Sequence, residues 1–327
     1  MGRRVHFTGR DSRTRTKRRY DVLVVYLEDP ISVSIPLPIS PYHLQNHRFY
    51  RTFARSGLTQ NQAELPSASV RYWIGGSGAP LLLLQGFGAC ATWQWHGQAR
   101  YFASKRRLIV PDLLYFGGSI PRHTEQSLER QAEVIVELLD HHNIDMVDVV
   151  GVSYGGFVAL GLAQKWADRV NRVVLVDSPG IGYVESDYRS MLESLRIDHI
   201  GDLLLPDDPN DITRLLKVAW HRPPWTPSFV LPNIHKHMFC DRVTERRALL
   251  QDIIDRMRRA DDDIDIPHRT LIAWGRHDPL FPVHLAQRMQ STMGHRACLH
   301  IFERSAHTPN MEQIRSFNQV VEGFLSH

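Results

Sequence analysis

Short apolar runs alternate along this chain with segments of helical periodicity, and this alternation limits the possible folds more than any other feature. The runs occupy residues 81–84, 108–110, 147–152 and 173–176. Short runs that lack a polar face are typical of strands buried on both sides of a sheet. Apolar side chains recur at helical spacing in residues 125–141 and 154–166. The pattern predicts an α/β fold with a mostly parallel sheet and helices on both of its faces.

The alternation is interrupted between residues 181 and 266. This segment is charged, helical in pattern and broken by several prolines, and it contains no strand-like run. Strand character returns at residues 270–275 and 298–302. We therefore expect a core domain made of residues 47–180 and 267–327, with a helical insertion at residues 181–266.

Residues 1–46 have a composition of their own. Positions 1–19 carry eight basic side chains and one acidic one, so this tail has a net charge of +7, and the remaining residues sum to −3. Prolines at positions 36, 38 and 41 disfavour helix and paired strand alike. We expect residues 1–46 to form a poorly ordered extension, and we expect no nucleic-acid partner for the mildly acidic remainder. The alternative, nucleic-acid binding through the basic arm, predicts that deleting residues 1–40 abolishes a salt-dependent affinity.

Cysteine usage and hydropathy bear on the compartment and on bound metals. The three scattered cysteines, Cys90, Cys240 and Cys298, do not form a disulfide framework or a zinc motif. No apolar stretch is long enough to cross a membrane, so we expect a cytoplasmic protein, with organelle targeting by the Arg-rich start as the alternative. The histidine pairs at 141–142 and 235–237 lack a third ligand at suitable spacing, so we expect no metal.

A G-x-S-x-G pentapeptide lies between a predicted strand and a predicted helix. It consists of Gly151, Val152, Ser153, Tyr154 and Gly155. Glycines two positions before and after the serine allow a sharp turn that lifts the serine hydroxyl above the sheet edge. The sequence context therefore predicts that Ser153 is a nucleophile.

A serine nucleophile needs a base, and the base needs an orienting carboxylate. Asp278 follows the predicted strand at 270–275, and His307 follows the last predicted strand. Because functional groups gather outside the carboxyl ends of parallel strands, we expect Ser153, Asp278 and His307 to converge. Asp177, which ends an earlier strand, is an alternative acid.

These residues resemble those of the α/β-hydrolase family over about residues 47–327. The acid loop is similar to the family's G-x-x-D-x-x-x-P, with Asp278 in the acid position. The histidine loop resembles G-H-x-x-x-x-E, with Ala306 where glycine is usual and Glu312 in place. The family's oxyanion loop is matched by residues 85–88, with Gln85 where histidine is usual.

The resemblance implies roles for several further residues. The backbone N–H groups of Phe87 and Tyr154 would form the oxyanion hole, next to Gly86. The insertion at 181–266 would be a cap, and it looks like the cap of monoacylglycerol-lipase-like esterases. Three tryptophans, Trp93, Trp220 and Trp225, are candidates for lining the substrate pocket.

The expected function is that of a serine hydrolase that cleaves a carboxylic ester with a small or lipid-like acyl group, through an acyl-enzyme and without a cofactor. One alternative is a hydrolase of carbon–carbon bonds in ring-cleavage diketones, because the resemblance implies the same triad for that reaction. Another is a ligand-binding receptor of the same fold with little turnover. The sequence leaves the substrate and the oligomeric state open.

Overall fold

A nine-stranded sheet forms the centre of the molecule. The computed structural model of the protein describes residues 40–258 and 265–327, which belong to one compact unit. The strands are β1 (Leu58–Glu64), β2 (Ala68–Gly75), β3 (Pro80–Leu84), β4 (Arg107–Pro111), β5 (Ile120–Pro121), β6 (Val147–Val152), β7 (Val170–Val176), β8 (Arg269–Gly275) and β9 (Ala297–Phe302).

The strand order is β1-β2-β4-β3-β6-β7-β8-β9, and β5 pairs with β2. The pairings from β4 through β9 are parallel, whereas β1, β4 and β5 run antiparallel to β2. The expectation of a mostly parallel sheet is therefore confirmed. The carboxyl ends of β3, β6, β7, β8 and β9 consequently lie along one edge of the sheet.

Thirteen α-helices are present in the described residues. They are α1 (Pro41–Arg55), α2 (Ala91–Trp95), α3 (Ala99–Ala103), α4 (Leu128–His141), α5 (Tyr154–Lys165), α6 (Glu185–Leu195), α7 (Gly201–Leu204), α8 (Ile212–Ala219), α9 (Leu231–Met238), α10 (Val243–Arg258), α11 (His284–Met293), α12 (Pro309–Glu312) and α13 (Ile314–Leu325). No described helix is long and apolar enough to cross a membrane.

The apolar strands are buried on both faces, as their composition predicts. Leu82 and Leu84 of β3 belong to the hydrophobic cluster that includes helices α4 and α5. Leu81 and Leu83 belong to a second cluster, which includes α1, α3 and α13. All four leucine side chains are fully buried. Alternate residues of one strand thus hold helices on opposite faces of the sheet.

The first described helix begins earlier than expected. Helix α1 starts at Pro41, so residues 41–46 are helical and the boundary at residue 46 is wrong, while residues 1–39 of the predicted extension lie outside the described residues. The side chain of Ser40 accepts a hydrogen bond from the backbone N–H of His43, which caps the helix. Proline is favourable at the first helical position because its missing N–H has no partner there.

Strand β1 was not anticipated because its sequence is polar. It pairs with β2 from Leu58 opposite Gly75 to Glu64 opposite Ser69. Only Leu58 and Ala63 of β1 are buried, so backbone pairing with β2 holds this edge strand more than side-chain burial does.

Helices α6 to α10 lie between β7 and β8, within the segment where a helical insertion was expected. Helix α10 packs on α4 of the core and on α6. Residues 259–264 of this segment lie outside the described residues.

Candidate active site

Ser153 occupies a strained turn between β6 and α5. Its backbone has φ +51° and ψ −116°, which is costly for a residue with a side chain. A Cβ atom on Gly151 would lie 2.2 Å from the carbonyl oxygen of Gly155. A Cβ atom on Gly155 would lie 2.3 Å from the carbonyl oxygen of Leu84. Both glycines are therefore required by backbone atoms that cannot move aside.

The backbone around Ser153 is held by neighbouring strands. Its N–H donates to the carbonyl oxygen of Val176 at 2.8 Å, and its own carbonyl oxygen accepts from the Ser178 hydroxyl at 2.8 Å. These bonds fix the turn to the end of β7. The Ser153 side chain makes no hydrogen bond with any described residue, which is common in ligand-free sites of this kind.

His307 and Asp278 form a buried pair on the loops after β9 and β8. The distance from His307 Nδ1 to Asp278 Oδ2 is 2.8 Å. The other carboxylate oxygen, Oδ1, accepts from the backbone N–H groups of Leu280 at 2.8 Å and Phe281 at 3.1 Å. These donors fix the orientation of the Asp278 carboxylate, and the carboxylate beside Nδ1 favours the His307 tautomer that carries its proton on Nδ1.

Asp177, the alternative acid, lies at the end of β7 and is fully buried. Its Oδ1 accepts from the backbone N–H of Gly275 at 2.8 Å, and it makes no hydrogen bond to His307. Burial, and then the charge of Asp278, raise the pKa of Asp177 well above its usual value. The structure thus pairs Asp278, rather than Asp177, with the histidine.

The same three side chains form a compact group of potential metal ligands. One ligand atom each from Asp177, Asp278 and His307 lies within 4.8 Å of the others. The carboxylate of Asp278 already accepts hydrogen bonds from the imidazole and from two backbone N–H groups. The three residues therefore form a hydrogen-bonded pair with one neighbouring acid. This arrangement suits a proton relay more than a cation.

Two backbone N–H groups flank the serine. Neither Phe87 nor Tyr154 uses its N–H in a hydrogen bond with the described residues. The rings of these two residues meet edge to face at 5.8 Å between centroids. A Cβ atom on Gly86 would lie 3.6 Å from Ser153 Cβ, so the turn after β3 passes directly beside the serine.

Gln85 supports this turn in the position where the family usually has histidine. It is fully buried at the end of β3. With its amide oriented to satisfy both groups, Nε2 donates to the carbonyl oxygen of Pro111 at 3.0 Å and Oε1 accepts from the N–H of Leu113 at 2.8 Å. The glutamine therefore ties the turn after β3 to the loop after β4.

An apolar pocket adjoins Ser153. Its described lining residues are Phe87, Ser153, Tyr154, Phe157, Tyr188, Met191, Ile200, Leu204, Leu250, Ile253, Leu280 and Phe281. Helices α6 and α10 contribute side chains to one part of it, and α5 with the loop after β8 contributes to another. No lining side chain in this part of the chain is charged.

None of the three predicted tryptophans lines this pocket. Trp93 stacks on Tyr42 at 5.3 Å and donates from Nε1 to Asn46 Oδ1 at 3.0 Å, so it serves the contact between α1 and α2. Trp220 lines a separate surface groove, and the side chain of Trp225 is 88% exposed. Aromatic identity does not indicate which way a side chain points, so a role of these tryptophans in binding substrate stays a prediction.

Other residues of the pocket carry a signal that sequence reasoning missed. Phe157 lies one helical turn after Ser153, and Leu280 and Phe281 follow Asp278 within three residues. Apolar residues next to catalytic candidates are the natural lining of a substrate pocket. Tyr188 and Met191 share one face of α6 by their spacing of three.

Known proteins resemble this chain along most of its length. A family model described as the alpha/beta hydrolase fold matches residues 79–252. The chain is 30% identical over 265 residues to a 2-hydroxy-6-oxo-2,4-heptadienoate hydrolase of Pseudomonas putida, covering 77% of this chain and 90% of that protein. It is 29% identical over 280 residues to a 2-hydroxymuconate semialdehyde hydrolase of a Pseudomonas species, covering 80% of this chain and 93% of that protein.

Solved structures agree on the fold. A meta-cleavage product hydrolase from Pseudomonas fluorescens superposes with a TM-score of 0.69 at 23% identity, over 81% of this chain and 97% of that one. A putative lipase from Acinetobacter baumannii superposes with a TM-score of 0.71 at 24% identity, over 91% of this chain and 97% of that one. This chain belongs to the α/β-hydrolase fold family, as its match to the family model, its sheet topology and its serine turn between strand and helix show.

Proposed function

We propose that this protein is a serine hydrolase that cleaves carboxylic esters with an uncharged, apolar acyl group. Ser153 is the nucleophile, His307 the general base and Asp278 the orienting acid. Membership of the family and its hydrolase relatives support hydrolysis as the reaction class. No cofactor takes part in this mechanism.

In the proposed reaction, His307 Nε2 takes the proton of the Ser153 hydroxyl as the oxygen attacks the acyl carbon. The charge that develops on the carbonyl oxygen is met by the N–H groups of Phe87 and Tyr154, each donor contributing about 3 kcal/mol in comparable sites. His307 then gives the proton to the departing alcohol, and a water molecule activated by the same imidazole releases the acid from Ser153.

The observation that carries the choice of substrate is the chemistry of the pocket. Its described lining has hydroxyl groups but no charged side chain. Placing a substrate carboxylate there without a cationic partner costs several kcal/mol. An alkyl or aryl acyl group instead gains about 0.8 kcal/mol for each buried methylene. We infer that helices α6, α7 and α10 act as the cap, with the acyl group beneath them.

The second candidate is the hydrolysis of carbon–carbon bonds in ring-cleavage products. The observation in its favour is the 30% identity with a dienoate hydrolase over 90% of that protein's length. The same three catalytic groups would serve both reactions. A dienoate carries a carboxylate, so this candidate requires a basic side chain near the pocket, and the described lining contains none.

A substrate panel distinguishes the two candidates. Purified protein is tested with p-nitrophenyl esters of increasing acyl length and with a ring-cleavage diketone. We expect kcat/KM for the esters to rise about threefold to fourfold per methylene until the pocket is full. The Ser153→Ala variant should lose this activity.

Two further variants test whether the pocket determines the preferred length of the acyl chain. Leu204→Trp fills part of the pocket and should shift the optimum to shorter acyl chains, whereas Trp225→Ala changes an exposed position and should leave the profile unaltered. Preferred turnover of the diketone would favour the second candidate. Labelling of Ser153 by a fluorophosphonate with no turnover of any substrate would favour a receptor.

A further inference from the structure

Asp177 is a buried acid for which the proposed reaction has no role. It ends β7, next in the sheet to β8, whose following loop carries Asp278. Its side chain is fully buried and its backbone adopts the left-handed region at φ +44°. Backbone strain and the burial of an acid both lower the stability of the folded protein. The groups around Asp177 must therefore compensate for this cost.

The two oxygens of Asp177 have different environments. Oδ1 accepts from the N–H of Gly275, and Oδ2 is buried with no donor facing it among the described residues. A carboxylate oxygen of Asp177 lies within 4.8 Å of one of Asp278. Two carboxylates so close in a buried site cannot both be ionised, and a proton on one of them makes a hydrogen bond between them.

The distribution of donors decides which acid is protonated. Asp278 accepts from His307 and from two backbone N–H groups, whereas Asp177 accepts from one. The negative charge is therefore better stabilised on Asp278. Burial, the charge of Asp278 and the more distant charge of Glu312 all raise the pKa of Asp177.

We propose that Asp177 is a positioning residue that stays neutral and donates a hydrogen bond from its carboxylic acid to the Asp278 carboxylate. This bond adds to the loop donors in orienting Asp278 and keeps Oδ2 of Asp278 aligned with His307. Asp177 therefore acts through Asp278 and never replaces it as the acid. The inference rests on the proposed roles of Asp278 and His307.

The test compares Asp177→Asn with Asp177→Leu. The asparagine amide donates to Asp278 and accepts from Gly275 as a protonated aspartate does, so Asp177→Asn should rescue the kcat that Asp177→Leu loses. We expect Asp177→Leu to lower kcat about tenfold to a hundredfold with little change in KM, because a hydrogen bond to a charged group is removed. Little loss of kcat in Asp177→Leu would overturn the proposal.

The pH profile separates a neutral Asp177 from an ionised one. A negative charge next to His307 raises the pKa of the imidazole, so removing such a charge lowers it. If Asp177 is neutral, Asp177→Asn leaves the acidic limb of the kcat/KM profile where it is in the unmodified protein. A limb displaced to lower pH, together with loss of activity, would identify Asp177 as an ionised acid and contradict the proposal.

A spectroscopic readout keeps this inference separate from the proposed function. The Nδ1–H proton resonance of His307, assigned with a His307→Gln variant, is followed with pH by NMR in each protein. It should be unchanged in Asp177→Asn and shifted in Asp177→Leu, whether or not any ester is turned over. Asp148→Asn, which alters a buried aspartate at the opposite end of the sheet, is the matched control and should not move this resonance.

Discussion

A single methyl group added to a glycine beside Ser153 should destabilise the protein. In Gly155→Ala the new Cβ meets the carbonyl oxygens of Leu84 and Gln85 at 2.3 and 2.6 Å, and both belong to a central strand or its end. We expect the free energy of unfolding to fall by about 2–4 kcal/mol, because backbone atoms must shift. Chemical denaturation measures this directly.

Gly161 on the same helix provides the control. A Cβ added there meets nothing within 4 Å, and alanine is the better helix former. Gly161→Ala should therefore leave the protein equally stable or raise its stability by about 0.5–1 kcal/mol. Equal stability losses in the two variants would mean that Gly155 is not constrained by the end of β3.

At the scale of elements, helix α1 belongs to the core of the protein rather than to an extension. Phe53 is fully buried in the cluster beneath the sheet and contacts Trp73 with ring centroids 5.2 Å apart. Phe53→Ala should destabilise the protein by about 3–5 kcal/mol, as for other buried phenylalanines. Thermal and denaturant unfolding measure the loss.

Leu44 of the same helix is 64% exposed and serves as the matched position. Leu44→Ala should change the free energy of unfolding by less than about 0.5 kcal/mol. A small effect of Phe53→Ala, similar to that of Leu44→Ala, would show that α1 contributes little to the fold.

At the scale of the whole molecule, Arg106 joins three distant parts of the chain. It precedes β4, bonds Asp148 of β6 at 3.0 Å, and makes two bonds of 3.1 Å to Glu322 of α13. Its side chain is 7% exposed. Arg106→Met removes the buried cation that both acids share and leaves each of them with weaker partners. We expect a loss of about 3–5 kcal/mol in the free energy of unfolding.

Arg122 provides the comparison, because its bond to Glu64 joins two side chains that are 50% and 63% exposed. Arg122→Met should cost less than about 1 kcal/mol, as exposed ion pairs contribute little. If both variants lose the same stability, the buried network is not what ties α13 to the sheet.

The sequence predicted the sheet and its edge because apolar runs and turn residues are local signals. Ser153 directly follows β6, and Asp278 and His307 follow β8 and β9 within five residues, so strand order brings them to one edge of the sheet. The start of α1 was misjudged because Pro41 was taken as a helix breaker and not as a first helical residue. The pocket lining depends on how α6 and α10 pack, which is a tertiary property that neither composition nor spacing contains.

The segments around Ser40 and Ser326 have a practical use. His327 accepts a hydrogen bond through its carbonyl oxygen from Arg269, the first residue of β8, and Ser326 lies next to Arg106. The last residues therefore sit at the amino ends of the strands, across the sheet from Ser153. Attachment of a solid support or a fluorophore at Ser326 would leave the edge of the sheet that carries Ser153 facing the solution. Attachment near Ser40 would instead place the label on α1, whose Tyr42 stacks on His237 of α9.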